Sequence, residues 1–123
     1  MQNPVRWFEI YVENMNRAKT FYEGVFGLKL NQMQTTEEIE MWGFPSDTQG
    51  FGCSGSLVKI RGLTPSGVST IIYFASEDCR TEENRISGFN GRIHKSKFSI
   101  GQYGFITLAI DTEGNMFGIH SMK

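Results

Sequence analysis

The sequence predicts an α+β domain built from two tandem βαβββ repeats, and three observations predict it. The chain has 123 residues, enough for one compact core and too few for two independent domains. Slid against itself by 64 positions without a gap, it matches Glu13 to Glu77, Asn14 to Asp78, Gly24 to Gly88, Gly27 to Gly91, Asp47-Thr48 to Asp111-Thr112 and Gly50 to Gly114. These matches are punctuation: Asn and Asp cap helix starts, Gly ends helices in the left-handed conformation, and Asp-x-x-Gly makes tight turns. Between them the hydrophobic period switches in the same order in both halves, from two to about 3.6 and back to two. The repeats are set at 1–61 and 68–123, with 62–67 as the linker.

In the first repeat, Trp7 to Val12 alternates with Phe8, Ile10 and Val12 on one face, as a half-buried strand does. Asn14 then opens a helix in which Met15, Ala18, Tyr22, Val25 and Phe26 recur at three- and four-residue steps, and Gly27 closes it. Leu28 to Gln34, Glu37 to Phe44 and Cys53 to Ile60 follow as strands, the last two separated by the turn Pro45 to Gly50. Glu38 and Glu40 fall on one face of their strand and Glu37 on the other, a solvated, aggregation-resistant surface rather than a pair of working acids.

The second repeat runs strand Ser69 to Ala75, helix from Asp78 to about Gly88, then strands Arg92 to Phe98, Tyr103 to Ile110 and Met116 to Ser121. Its helix, Cys79 to Ile86, is polar with a thin apolar stripe, so its assignment rests on equivalence to the first. Gly62 to Gly67, with Pro65 inside, links the halves.

Composition excludes several function classes. Hydrophobic residues make up 39% and charged residues 20%, an ordinary globular balance, and a net charge of −1 offers no basic field for nucleic acid. No apolar run approaches the ~20 residues that span a bilayer, and the N-terminal Met-Gln-Asn-Pro lacks the features of a signal peptide, so a cytoplasmic protein with no membrane partner is expected. Two cysteines make no disulfide framework; Cys53 and Cys79 are read as reduced, with Cys53 a packing residue.

The segment Phe21-Tyr22-Glu23-Gly24-Val25-Phe26-Gly27 at the end of the first helix and Asp111-Thr112-Glu113-Gly114-Asn115 before the last strand resemble the glyoxalase / bleomycin-resistance / dioxygenase group, the vicinal-oxygen-chelate superfamily. Phe8-Glu9-Ile10 and Gly55 to Lys59 are similar to its small members described as related to lactoylglutathione lyase. The resemblance covers nearly the whole chain. It implies a mixed sheet that each repeat curls into half of a cup, with metal ligands supplied by the first and last strands of each repeat. Those positions map to Trp7, Ser54, Ile71 and Gly118. Divalent metals of this kind need His, Glu or Gln donors, so the resemblance and the residues together predict no metal and no cofactor. The superfamily also buries open sheet edges against a second copy, which predicts a homodimer.

Strand alternation puts Glu9 and Tyr11 on the cup face with Trp7, Tyr73 with Ile71, Ser56 with Ser54, and His120 with Gly118. A carboxylate between Trp7 and Tyr11 should be partly desolvated and raised toward useful base values, which makes Glu9 the leading catalytic candidate. Its bland reading is a Glu paired with an Arg or hydrogen-bonded at a dimer seam. His120 is the second catalytic candidate, against a frayed surface strand. Trp7, Tyr11, Ser54, Ser56, Ile71 and Tyr73 are the ligand-binding candidates, while Trp7, Tyr11 and Trp42 serve equally as core or interface. His94 reads as solvated. The expected function is metal-free binding of a small aromatic or planar molecule; the alternatives are a lyase or isomerase of the lactoylglutathione-lyase kind with Glu9 or His120 as general base, and a purely structural dimerisation module.

Overall fold

A computed structural model describes residues 3–64 and 69–123. Linker positions 65–67 lie outside the described residues. The chain divides into two compact units, one from Trp7 to Thr70 and one from Ile71 to Lys123 to which Asn3–Arg6 belongs. The backbone bond from Ala75 N–H to the Pro4 carbonyl (2.8 Å) ties these first residues to the second repeat.

The first repeat consists of β1 (Val5–Tyr11), α1 (Met15–Phe26), β2 (Asn31–Gln32), β3 (Ile39–Gly43) and β4 (Ser54–Ile60), in the sheet order β2-β3-β4-β1. β1 and β4 are parallel, with Trp7 beside Ser54, Glu9 beside Ser56 and Tyr11 beside Val58. α1 starts and stops where its punctuation predicts: the Asn14 side chain accepts from Arg17 N–H at 3.0 Å, and Gly27 adopts φ +63° and donates to the Glu23 carbonyl. α1 covers one face of the sheet, where Met15, Leu30 and Leu57 form the buried centre and Ile10, Ala18, Tyr22, Trp42 and Phe44 pack around them. Gly55 belongs to this face because a Cβ there would lie 2.6 Å from the Phe8 ring. The last turn of the predicted stripe is not buried: Val25 and Phe26 are 59% and 64% exposed.

Two predicted strands shorten for local reasons. Leu28 and Leu30 turn into the α1 core, with the Leu30 N–H held by the Glu23 carboxylate at 2.8 Å, and only Asn31–Gln32 remain as strand. The Thr36 hydroxyl accepts from both Glu38 and Ile39 N–H, a side-chain turn that delays β3 to Ile39. Cys53, read as a packing residue, is exposed.

The second repeat consists of β5 (Thr70–Ala75), α2 (Cys79–Ile86), β6 (Arg92–Ser99), β7 (Phe105–Ile110) and β8 (Met116–Ser121), in the order β5-β8-β7-β6. Asp78 caps α2 through Arg80 N–H at 3.0 Å. The Lys97 ammonium at 2.9 Å and the Arg80 N–H hold its carboxyl below the usual carboxylate range. Beyond Ile86 the chain tightens into a 3₁₀ turn, Ser87–Phe89, and leaves through Asn90 at φ +72°. β7 begins at Phe105 rather than Tyr103, because Gly101–Tyr103 form another such turn.

α2 is anchored by a buried acid where an apolar stripe was expected. Glu83 is 9% exposed, and its carboxylate accepts from the Thr107 hydroxyl at 2.8 Å and from Lys97 N–H at 2.7 Å. Burial pushes this carboxyl up, and the Lys97 and Thr107 hydrogen bonds, with Arg80 nearby, outweigh burial and hold it below its ordinary value.

The 64-residue offset survives in the two Asp-x-x-Gly turns, closed by Gly50 N–H to Asp47 at 3.1 Å and Gly114 N–H to Asp111 at 3.2 Å. It fails in the last strands. β4 starts four residues after its turn glycine and β8 two after its own, so Gly118 lies beside Tyr73, not beside Ile71 as the offset requires.

Candidate functional site

In the first repeat, the face of the sheet away from α1 carries Trp7, Glu9 and Tyr11 from β1. The Tyr11 hydroxyl donates to Glu9 Oε1 at 2.7 Å, which fixes the carboxylate over the strand. Ser56 lies between Glu9 on β1 and Gly43 on β3. Ser56 is fully buried, and among the described residues its hydroxyl oxygen is a buried side-chain atom with no hydrogen-bond partner. A buried hydroxyl without a partner is costly, about 1–3 kcal/mol, and such groups mark places where a polar group belongs.

One predicted ligand-binding residue, Ser54, is engaged elsewhere in this unit, and Trp42 is core. The Ser54 hydroxyl lies 3.0 Å from the carbonyls of Phe44 and Pro45, so it secures the turn that feeds β4. Trp42 belongs to the α1 face: its ring packs on the core, Lys19 Nζ stands 3.2 Å above it, and its Nε1 donates to Glu40 Oε2 at 2.9 Å. Trp42 is therefore a core residue, separated by the sheet from Trp7 and Tyr11. A surface depression of about 410 Å³ opens at the start of α1, lined by Glu13, Asn14, Asn16, Arg17, Glu40 and Lys59, and contains none of the predicted site residues.

In the second repeat, Ile71 and Tyr73 share a face of β5, and His120 on β8 stands beside Ala75 on that face. His120 uses both ring nitrogens within the unit. Nε2 lies 2.6 Å from the Tyr103 carbonyl, which can only accept, and Nδ1 lies 2.9 Å from the Arg6 guanidinium, which can only donate. Neither Arg6 nor Tyr103 was singled out in the sequence as a partner of His120, and no local pattern signals a contact spanning 114 positions. His94 is exposed on β6, as predicted. Asp111 organises the turn before β8: its carboxylate accepts from Asn115 and Glu113 N–H, which hold it below the usual range against a smaller burial effect. Among the described residues no three His, Cys, Asp or Glu side chains gather where they could share an ion, and no helix is long and apolar enough to cross a membrane.

The model of the bleomycin resistance protein-like N-terminal family matches residues 5–40, which hold β1, α1 and β2. No curated protein matches in sequence. Among solved structures, a variant of Streptomyces coelicolor methylmalonyl-CoA epimerase in complex with 2-nitronate-propionyl-CoA is similar at 15% identity, with 98% of each chain covered and a TM-score of 0.70. The methylmalonyl-CoA epimerase of Mycobacterium tuberculosis is similar at 13% identity, over 98% of this chain and 88% of that one, with a TM-score of 0.69. A hypothetical protein from Bacillus halodurans C-125 is similar at 11% identity, over 100% and 96%, with a TM-score of 0.74. At these identities the structural likeness establishes a shared fold and not a shared activity. The family model covers the beginning of the first repeat, and the fold is shared with these structures along the whole chain.

Proposed function

We propose that this protein binds a small aromatic or planar molecule without a metal, on the β1 face that carries Trp7, Glu9 and Tyr11. The observation that carries the reading is the Glu9–Tyr11 pair set beside the partnerless Ser56 hydroxyl. An ionised carboxylate is an acceptor, and one oriented over the strand by the Tyr11 hydroxyl is suited to receive a ligand N–H or O–H. The Trp7 ring supplies an apolar surface on which a planar body can stack, and Tyr11 orients the acid.

A second reading, a lyase or isomerase with Glu9 as general base, has support in the likeness to the epimerases and uses the same pair. In both readings the chemistry rests on Glu9, while Arg6 and the Tyr103 carbonyl engage the His120 ring within the other unit.

The test is a thermal-shift screen over aromatic and planar metabolites and aromatic antibiotics, followed by calorimetric titration of any compound that raises the midpoint. Glu9→Gln keeps the shape and removes the charge; it is expected to weaken binding at least tenfold, about 1.4 kcal/mol, at an unchanged melting temperature. Affinity and turnover both within twofold of wild type would make Glu9 structural. Loss of turnover with affinity retained would favour the base reading over the binding one.

A further inference from the structure

Strand pairing in the first repeat lines up four positions on the face away from α1: Glu9 on β1, Ser56 on β4, Gly43 on β3 and Asn31 on β2. Directly paired residues point the same way, while the intervening Leu57 and Trp42 turn to the α1 core, so this is a polar row across the sheet. Gly43 leaves a gap in the row, and the Met33 side chain fills it: a Cβ at 43 would lie 3.1 Å from Met33 Sδ and 3.3 Å from its Cγ. The Met33 N–H donates to the Met41 carbonyl at 3.0 Å, which fixes the backbone and leaves the thioether as the part that moves. Methionine is unbranched and adaptable, so it swings aside at little cost.

We infer that the Ser56 hydroxyl, with Met33 as its movable cover, selects the ligand of this face, and that the ligand is a planar lactam or carboxamide. The inference rests on the reading that the Glu9 face binds a planar molecule, and it names what that molecule must carry. Ser56 is fully buried, and among the described residues its Oγ has no partner. Such a hydroxyl destabilises the free protein and regains its hydrogen bond when an acceptor arrives. Glu9 stands beside it on the adjacent strand, about 4.8 Å away across the ladder. The carboxylate reads a donor and the hydroxyl supplies one, so together they read an N–H next to a carbonyl, which is the edge of an amide. The next row on the same face, Tyr11, Val58 and Met41, gives the body of the molecule an apolar bed.

The cover is tested without a ligand. In a Cys53→Ser background, which removes the exposed thiol, Ser56→Cys puts a reactive group in the row, and the fully buried Cys79 serves as internal reference. Iodoacetamide labelling read by mass spectrometry is expected to be at least about tenfold faster at position 56 when Met33→Ala is added, with Cys79 unchanged. Equal rates with and without Met33 would overturn its role as the cover. Ser56→Ala is expected to melt no lower than wild type, because no hydrogen bond is lost; a fall of about 4 °C or more would show that the hydroxyl is already satisfied, and would overturn the inference. Calorimetric titration then compares carbostyril, a planar lactam, with indole, a planar ring with an N–H and no carbonyl. Ser56→Ala is expected to weaken carbostyril at least about tenfold and to leave indole within about twofold, whereas Glu9→Gln should weaken both. Carbostyril bound equally by wild type and Ser56→Ala, or by neither, would overturn the ligand class. Selectivity lost in Ser56→Ala with both affinities kept in Glu9→Gln would instead remove Glu9 from the binding reading and leave Ser56 in place.

Discussion

Replacing Glu83 by alanine tests whether a buried carboxylate, rather than apolar contact, fixes α2 to its sheet. The change removes the acceptor for two donors, the Thr107 hydroxyl on β7 and the Lys97 N–H on β6. Thr107 is fully buried, so its hydroxyl loses its partner with no water to replace it; the Lys97 N–H is partly buried. An abandoned buried donor costs about 1–3 kcal/mol, which with the void left behind sets the expected loss at about 3 kcal/mol. The Arg80 contact at 3.8 Å adds little, since that side chain is largely exposed. For a chain of this length 3 kcal/mol corresponds to a fall of about 12 °C in melting temperature. Urea unfolding followed by circular dichroism measures it directly, with an unchanged m-value as the sign that the native fold is kept. Glu83→Gln, which keeps the shape and one oxygen, should cost about half as much. A Glu83→Ala protein within about 0.5 kcal/mol of wild type would refute the assignment of α2's anchorage to this residue.

The same carboxylate predicts an acid limb. Glu83 is held below the ordinary Glu value of 4.5 in the folded state, so the unfolded chain binds its proton first. Its stabilisation is therefore complete above the unfolded value and is lost as pH falls through the folded one. Asp78 and Asp111, also held low, act in the same direction. Glu83→Gln should flatten, without abolishing, the dependence of unfolding free energy on pH below about pH 5. An acid limb of unchanged slope would mean that Glu83 is not ionised differently in the two states.

Two further outcomes follow from single observations. Asn14→Ala should destabilise the protein by about 1 kcal/mol in the same urea assay, and Asn14→Asp should recover most of that, because the cap needs only an acceptor for Arg17 N–H. On the last turns of α1, Phe21, Val25 and Phe26 are each more than half exposed, and we propose that this face is covered in a homodimer; a monomer by sedimentation at tens of micromolar would count against it, and Phe26→Asp should shift a dimer toward monomer.

The parts of the fold legible in the sequence are those whose cause is local. Asn14 and Asp78 cap helices with their own side chains, Gly27 supplies a left-handed residue, and Asp47 and Asp111 open four-residue turns closed by Gly50 and Gly114. Each acts within one turn of chain, so residue type and spacing are enough to find it. Strand alternation is equally local, which is why Glu9 and Tyr11 were assignable to one face and are found hydrogen-bonded to each other. Trp42 could not be assigned until β3 was placed against β4, where its neighbour Leu57 puts it under α1.

What stayed hidden depends on distant partners. A helix reading Arg80-Thr81-Glu82-Glu83 looks solvated on its own, and only donors 14 and 24 positions away turn Glu83 into an anchor. The register of β8 is set by the number of residues between its turn and its first pair, and there the first repeat carries two more than the second. A side-chain pattern with period two cannot reveal that difference, since a shift of two leaves every residue on the same face. The glycine at 118 therefore looked in the sequence like an ordinary lost ligand. Beside Tyr73 it is instead the residue that the ring requires, which moves the reason for its identity from metal chemistry to packing.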